Sequence, residues 1–355
     1  MIKQYGWSEA LAGVFEQQAR AGHAPGRIVV QHRDGYLVAT DEGELRAKAS
    51  GRLLEEVGPP AVGDWVALSM NPSERTATLH AILPRRTSFV RRAAGSAQGM
   101  QVIAANIDVA FVVTSLNAEL NARRIERYLA AAWQSGARPV VVLTKADLCD
   151  DPDGQAAEIA ALAAGCPVIV ISARQGLGLE ALRAHVAPGE TCVLIGSSGV
   201  GKSTLVNALL GEDKMATNAI READDHGRHT TSHRELVLLP DGRLILDTPG
   251  IREVGLIDAE EGVSVVFDDI ELLTQNCRFN DCGHVSEPGC AVRAALESGA
   301  LDPARWAHFQ KLGLELAAVE EKADRAAHEA ERSRLAALQK KYRATKRNDR
   351  GGGGD

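Results

Sequence analysis

Residues 196–203 read Gly-Ser-Ser-Gly-Val-Gly-Lys-Ser, a G-x-x-x-x-G-K-S loop, and no other stretch restricts the fold so tightly. The loop follows Thr191–Ile195, a short β-branched apolar run suited to a buried strand, and it leads into Lys202–Leu210, which reads as a helix. Strand, glycine loop and helix in that order aim backbone N–H groups and the positive end of a helix dipole at one anion. Gly196, Gly199 and Gly201 allow that approach without Cβ clashes, while Ser197, Ser198, Val200 and Thr204 complete the expected lining. Lys202 would reach β- and γ-phosphates, and Ser203 would ligate Mg²⁺.

The chain of 355 residues is long for one domain and fits two or three. With 45% of its residues apolar, it can bury a sizeable core. A net charge of −7 would argue against a nucleic-acid partner if it were evenly spread, but the C-terminal end is basic. No apolar run follows Met1-Ile2-Lys3 and none reaches the length of a membrane span, so a cytoplasmic protein with no membrane partner is expected.

Residues 1–24 read as helical or loosely ordered, without evident chemistry. Five short alternating runs follow at 27–32, 35–40, 44–49, 64–68 and 77–83, separated by turn chemistry such as Asp34-Gly35 and Pro59-Pro60. They predict a small barrel, OB-like or SH3-like from the strand count alone. Pro84–Met100 carries Arg85, Arg86, Arg91 and Arg92 and reads as a basic linker, either an RNA contact or a solvated connector. From residue 107 strands and helices alternate, the pattern of a doubly wound α/β unit that binds ligands at the C-terminal ends of its strands.

Three further segments stand at such strand ends. Asp247-Thr-Pro-Gly250 would place a carboxylate near Mg²⁺ and the Gly250 N–H at a γ-phosphate. Thr144-Lys145-Ala146-Asp147 is similar to the guanine-reading N-K-x-D segment, because a carboxylate at Asp147 accepts both the N1–H and the exocyclic amine of guanine. Ser172-Ala173-Arg174 is similar to the S-A-K segment that closes over the base. Thr144 replaces the usual Asn, so the contacts that brace the loops must be made differently or lost. The order is permuted: the guanine-type segments precede the phosphate loop, a rearrangement that chain ends at surface loops permit. Between the phosphate loop and Asp247 lies the polar segment 211–233, where Thr230 or Thr231 is the candidate threonine for Mg²⁺ and γ-phosphate. Ile251 cannot orient water as a glutamine would, so slow intrinsic hydrolysis is expected. His229 is the candidate replacement, its alternative being an ordinary loop histidine.

Cys277, Cys282, His284 and Cys290 supply three thiolates and one imidazole within fourteen residues, a set suited to a closed tetrahedral zinc site of structural type. A long helical stretch follows Asp302-Pro303. From Arg334 to Arg350 it carries seven basic residues against Asp349, a net of +6, either an RNA-seeking tail or a solvated charge run. No internal repeat is present.

Taken together, the barrel with Gly63-Asp-Trp-Val66, TKAD, SAR, GSSGVGKST, GRHTT, DTPGI and the cysteine loop, in that order, resemble the ribosome small-subunit-dependent GTPase A family over nearly the whole chain. The resemblance implies a multidomain α/β protein: an N-terminal extension over 1–24, an OB-like barrel over 25–86, a circularly permuted P-loop GTPase domain over 87–255, a C-terminal zinc-binding helical domain over 256–320 and a basic helical tail over 321–355. It further implies a monomer that binds GTP and GDP, hydrolyses GTP on the small (30S) ribosomal subunit late in its assembly, and contacts 16S rRNA through barrel and zinc domains. The family's water-orienting histidine falls on His229. The competing expectation is a GTP-sensing RNA-binding scaffold with negligible hydrolysis, motivated by Ile251.

Overall fold

The computed structural model describes residues 1–71, 73–92, 100–117, 120–211, 234–247 and 260–318, with isolated positions between 321 and 332. The N-terminal segment is packed rather than loose. Ser8 accepts from the Leu11 N–H (3.4 Å) to cap α1 (Glu9–Arg20), and Ile2, Tyr5, Leu11 and Phe15 are buried. Trp7 sits edge-on to Phe15 and to Trp65, with centroids 5.8 and 5.1 Å apart, so this segment belongs to the barrel's core.

The five expected strands form as β1 (Ala24–Gln31), β2 (Tyr36–Thr40), β3 (Gly43–Ala49), β4 (Trp65–Asn71) and β5 (Thr76–Ile82). Strand β1 pairs with both β2 and β4, and β3 runs parallel to β5, which closes the order 1-2-3-5-4-1 of an OB barrel. That settles the choice against an SH3-like barrel. The double pairing of β1 brings chains close at Gly26, where a Cβ would lie 2.5 Å from Val38 Cγ1. A short helix, α2 (Gly51–Glu56), joins β3 to β4.

Within the expected basic linker, Ser88–Arg92 form a strand, β6, paired with β7 (Met100–Ala105), while residues 93–99 lie outside the described residues. Ahead of it, Arg85 grips the fully buried Asp64 with two 2.7 Å bonds, and Arg86 pairs with Asp108 at 3.0 Å. Arg85 is therefore structural, because a buried carboxylate needs a bidentate partner, whereas the exposed Arg86 makes a single ion pair.

Strands β8 (Val109–Ser115), β9 (Arg138–Thr144), β10 (Val168–Val170), β11 (Thr191–Ile195), β12 (Arg234–Leu238) and β13 (Leu244–Asp247) follow, in the spatial order β10-β9-β8-β11-β13-β12. All pairs are parallel except β12–β13. The sheet is covered on both faces, which explains the unbroken apolar runs: Val109, Phe111 and Val113 enter one core while Ala110 and Val112 enter the other. Helix α3 (Ala122–Ser135) packs on the second face through Ile125 and Leu129. Helix α4 (Pro152–Leu162) adds Ile159 there, whereas α5 (Leu179–Arg183) and α6 (Lys202–Leu210) cover the first face with Leu182, Leu205, Val206 and Leu209.

Barrel and parallel sheet are joined. The end of β1 pairs with the start of β12 (Val30↔Glu235, Gln31↔Arg234), giving one eleven-stranded sheet. Beside this seam the fully buried Arg27 donates to the carbonyls of Tyr5, Gly63 (3.3 Å) and Asn106 (3.1 Å) and to Thr191 Oγ1 (2.8 Å). Its guanidinium also lies 5.1 Å from the Trp65 ring centroid. Burial pushes its pKa down to about 10, with Asp108 and Asp64 opposing the fall and Arg86 adding to it.

The C-terminal helices are α7 (Glu260–Val266), α8 (Asp268–Gln275), α9 (Ala291–Ser298) and α10 (residues 303–318); α7 and α10 pack against α3, while α8 packs between α7 and α9. Gly262 allows the contact, since a Cβ there would stand 2.0 Å from the Ala130 carbonyl oxygen. Buried Glu126 of α3 accepts from Arg305 and faces His308 Nδ1 at 2.7 Å, and Arg305 also bonds Asp269 (2.9 Å). Among the described residues no helix is long and apolar enough to cross a membrane. The basic tail from Arg334 onward lies outside the described residues.

Arg27→Met keeps an unbranched, largely apolar stem but removes the guanidinium and leaves several buried acceptors without a donor. It is expected to cost about 3 kcal/mol or more, read from a shifted denaturation midpoint; a change below about 0.5 kcal/mol would contradict this role for Arg27.

Candidate functional site

The phosphate loop lies at the C-terminal end of β11, between β8 and β13. Its first glycine is required by space: a Cβ on Gly196 would stand 2.2 Å from the Val113 carbonyl oxygen, at a φ of 150°. Gly201, at φ 97°, turns the chain into α6 in the left-handed region. Lys202 folds back over the loop and donates to the carbonyls of Gly196 (2.8 Å) and Ser197. Val200 is buried in the core of the α6 face, whereas Ser198 and Gly199 are exposed at the tip. Ser203 and Thr204 are half-buried in the first turn of α6.

Thr144 answers the question raised by its sequence position. Its buried hydroxyl lies 2.6 Å from the Val200 carbonyl and 3.1 Å from the Thr114 carbonyl, two acceptors for its one proton. The threonine thus braces the phosphate loop directly, with a hydroxyl in place of an amide. The next residue, Lys145, adopts φ 61°, and the Ala146 N–H reaches the Ile171 carbonyl (3.1 Å), tying the TKAD loop to the strand that leads into SAR. Asp147 is exposed, and buried Ser172 donates to its Oδ1 at 2.6 Å while accepting from the Gln175 N–H at 3.3 Å. The serine fixes one carboxylate oxygen and leaves the other to face outward contacts. Ala173 is half-buried and Arg174 exposed beside them.

The structure therefore brings Thr144, Lys145, Ala146, Asp147, Ser172, Ala173, Arg174 and residues 196–204 to one edge of the sheet. Asp247 closes β13 at that edge, its backbone paired with Glu235. Gly250, Ile251, His229, Thr230 and Thr231 lie outside the described residues. An addition that sequence reading missed is Arg124 of α3, whose Nη1 donates to Ser197 Oγ at 2.8 Å. Seventy-three positions separate the two residues, so no local pattern announces the contact.

The cysteine cluster also assembles. The ligand atoms of Cys277, Cys282, His284 and Cys290 all lie within 4.8 Å of one another. The Nδ1 of His284 is 3.5 Å from both Cys277 Sγ and Cys290 Sγ, and those sulfurs are 3.9 Å apart. A tetrahedron with bonds of about 2.3 Å to sulfur and about 2.0 Å to nitrogen has edges of roughly 3.5–3.8 Å, so the donor set fits zinc. Cys290 caps α9, accepting from the Arg293 N–H (3.4 Å), and His284 takes φ 59°. Glu287 shapes the loop between them. Its carboxylate accepts from the N–H groups of Gly283, Val285 and Ser286, each at 2.9 Å. Together with its own N–H these hold the carboxyl down to about 2. The sequence shows only an acid in a Gly/Pro-containing loop, which does not reveal that role.

Comparison with known proteins agrees with this geometry. The family model described as RsgA GTPase matches residues 82–257. A model described as ABC transporter matches 179–336, a span holding the phosphate loop but neither TKAD nor SAR. The chain is 44% identical to the small ribosomal subunit biogenesis GTPase RsgA of Opitutus terrae, over 98% of each chain. It is 48% identical to the Streptomyces coelicolor protein of that name, over 88% of this chain and 85% of the relative. Among solved structures, YjeQ from Thermotoga maritima covers 83% of this chain and 99% of its own at 26% identity and a TM-score of 0.62. YloQ, described as a circularly permuted GTPase, shares the fold at 24% identity and a TM-score of 0.60, over 84% of this chain and 96% of its own. With a permuted nucleotide site and a near full-length relative of this similarity, the chain belongs to the RsgA family of circularly permuted GTPases.

Proposed function

We propose that this protein hydrolyses GTP to GDP and phosphate in response to the small ribosomal subunit and acts in that subunit's late assembly. The observation that carries the proposal is similarity along 98% of the chain to a protein named for small-subunit biogenesis. The site's chemistry supports it. Asp147, oriented by Ser172, reads guanine; adenine offers neither donor at those positions. Thr144 couples the base-reading loop to the phosphate loop through one hydroxyl. Residues 196–204 cradle the phosphates, and Lys202 exchanges its loop carbonyls for β- and γ-oxygens.

Ser203 and Asp247 provide the hydroxyl and carboxylate oxygens that suit Mg²⁺, with Thr230 or Thr231 as third donor and the Gly250 N–H beside the γ-phosphate. When bound, the ion neutralises charge on the β- and γ-oxygens. His229 positions the attacking water in place of a glutamine, since Ile251 offers no polar atom. Cys277, Cys282, His284 and Cys290 hold one structural zinc, which shapes a loop too poor in core residues to fold alone. Barrel, zinc loop and basic tail supply contacts to 16S rRNA, and the protein works as a cytoplasmic monomer.

Purified small subunits are expected to raise GTP turnover at least tenfold, and Lys202→Ala to abolish the stimulated rate; a rate indifferent to subunits defeats the proposal. Thr144→Val removes the hydroxyl bond to Val200 and is expected to weaken GDP binding about tenfold, or roughly 1.4 kcal/mol, by titration with a fluorescent GDP. Metal analysis should give one zinc per chain. Cys282→Ser should lose it and melt at lower temperature, and a zinc-free wild type of undiminished melting temperature would refute the assignment.

A further inference from the structure

Between α3 and α10 opens a cleft of about 510 Å³ that meets the phosphate loop at Ser197. Arg123, Arg124 and Arg127 line it from α3 and Lys311 from α10, with Tyr128 and the phosphate-loop residue Ser197 alongside. Two of the four cations are engaged: Arg127 pairs with Glu315 at 2.9 Å, and Arg124 donates to Ser197. Arg123 and Lys311 are exposed and have no ion pair among the described residues.

This arrangement works against the helix that carries it. Arg123 and Arg127 are like charges four apart, and all three arginines stand in the first turns of α3, where the dipole disfavours cations. The acid on that helix turns away, since Glu126 is committed to Arg305 and His308. An anion in the cleft would offset the repulsion. The cations favour phosphate, which arginine grips in a planar fork. The cleft is open to solvent, and its two aromatic rings offer no free face, Tyr128 being half-buried and His308 buried against Glu126, so it suits a backbone passing through better than a stacked free nucleotide.

We propose that this cleft holds the phosphodiester backbone of small-subunit RNA, with Arg123 and Lys311 as its free phosphate partners and Arg124 joining it to the phosphate loop. The inference rests on the subunit-dependent function proposed above. Through Arg124, RNA in the cleft touches Ser197, the residue whose carbonyl also holds Lys202.

The test compares wild type with an Arg123→Ala, Lys311→Ala double variant for binding to purified small subunits across a salt series. Losing two phosphate contacts is expected to lower affinity about tenfold at about 0.1 M salt and to flatten the log K against log salt slope by about 1.4–1.8. The charge-keeping Arg123→Lys, Lys311→Arg variant should retain the slope. Unchanged affinity and slope in the alanine variant overturn the cleft alone, because wild-type binding in the same series leaves the subunit reading intact. A wild type that ignores subunits overturns both. An equal loss of GDP affinity in the alanine variant would assign the cations to the nucleotide and also overturn the cleft. Should the alanine variant fail to fold, by melting temperature and zinc content, acetylation of Lys311 in the wild type decides: bound subunits should slow it several-fold, and an unchanged rate refutes the proposal.

Discussion

A charged side chain with no water around it persists only when its donors are answered, and Arg27 is answered by four segments of the chain at once. Tyr5 lies in the N-terminal segment, Gly63 in the barrel, Asn106 just before the parallel sheet and Thr191 at the start of the strand that delivers the phosphate loop. None of these partners is a carboxylate, so the guanidinium depends on correctly aimed oxygens rather than on one counter-charge. Displacing any of the four segments leaves part of it unsatisfied. The barrel's place relative to the nucleotide-binding edge is thus fixed by hydrogen-bond geometry, and Asp64 with Arg85 reinforces it from the barrel side.

The nucleotide edge follows the same logic. Thr144 and Ser172 each set the position of a neighbouring group at this edge: the Val200 turn and the Asp147 carboxylate. A hydroxyl serves where the related pattern has an amide because Val200 O lies within its shorter reach. On the far face of α3, Glu126 ties the helix to Arg305 and His308, so α3 is braced by α10 while its Arg124 reaches the phosphate loop.

Much of this was legible in the sequence because the signals are local. Apolar runs announced β8, β9 and β11, alternation announced the five barrel strands, and the cysteine spacing announced its cluster. What escaped is non-local. Arg27 stands in a strand beside Gly26 and looks like a solvent-facing residue, since its partners lie up to 164 positions away. Arginines and glycines made the segment 84–100, which holds β6, read as a linker, though Arg85 and Arg86 are held by carboxylates distant in sequence. Gly262 gives no sign that a helix crosses another there, and Glu287 none that three neighbouring N–H groups converge on it.

The seam between barrel and parallel sheet has an uneven strength. Strands β8 and β9 share seven register pairs, whereas β1 and β12 share two, at the residues that open β12 directly after position 233. Tension applied between the two bodies would concentrate on that short stitch. The stitch begins where the polar segment between the phosphate loop and β12 ends, so a tug on that segment is delivered to the barrel's first strand with almost no intervening chain to absorb it.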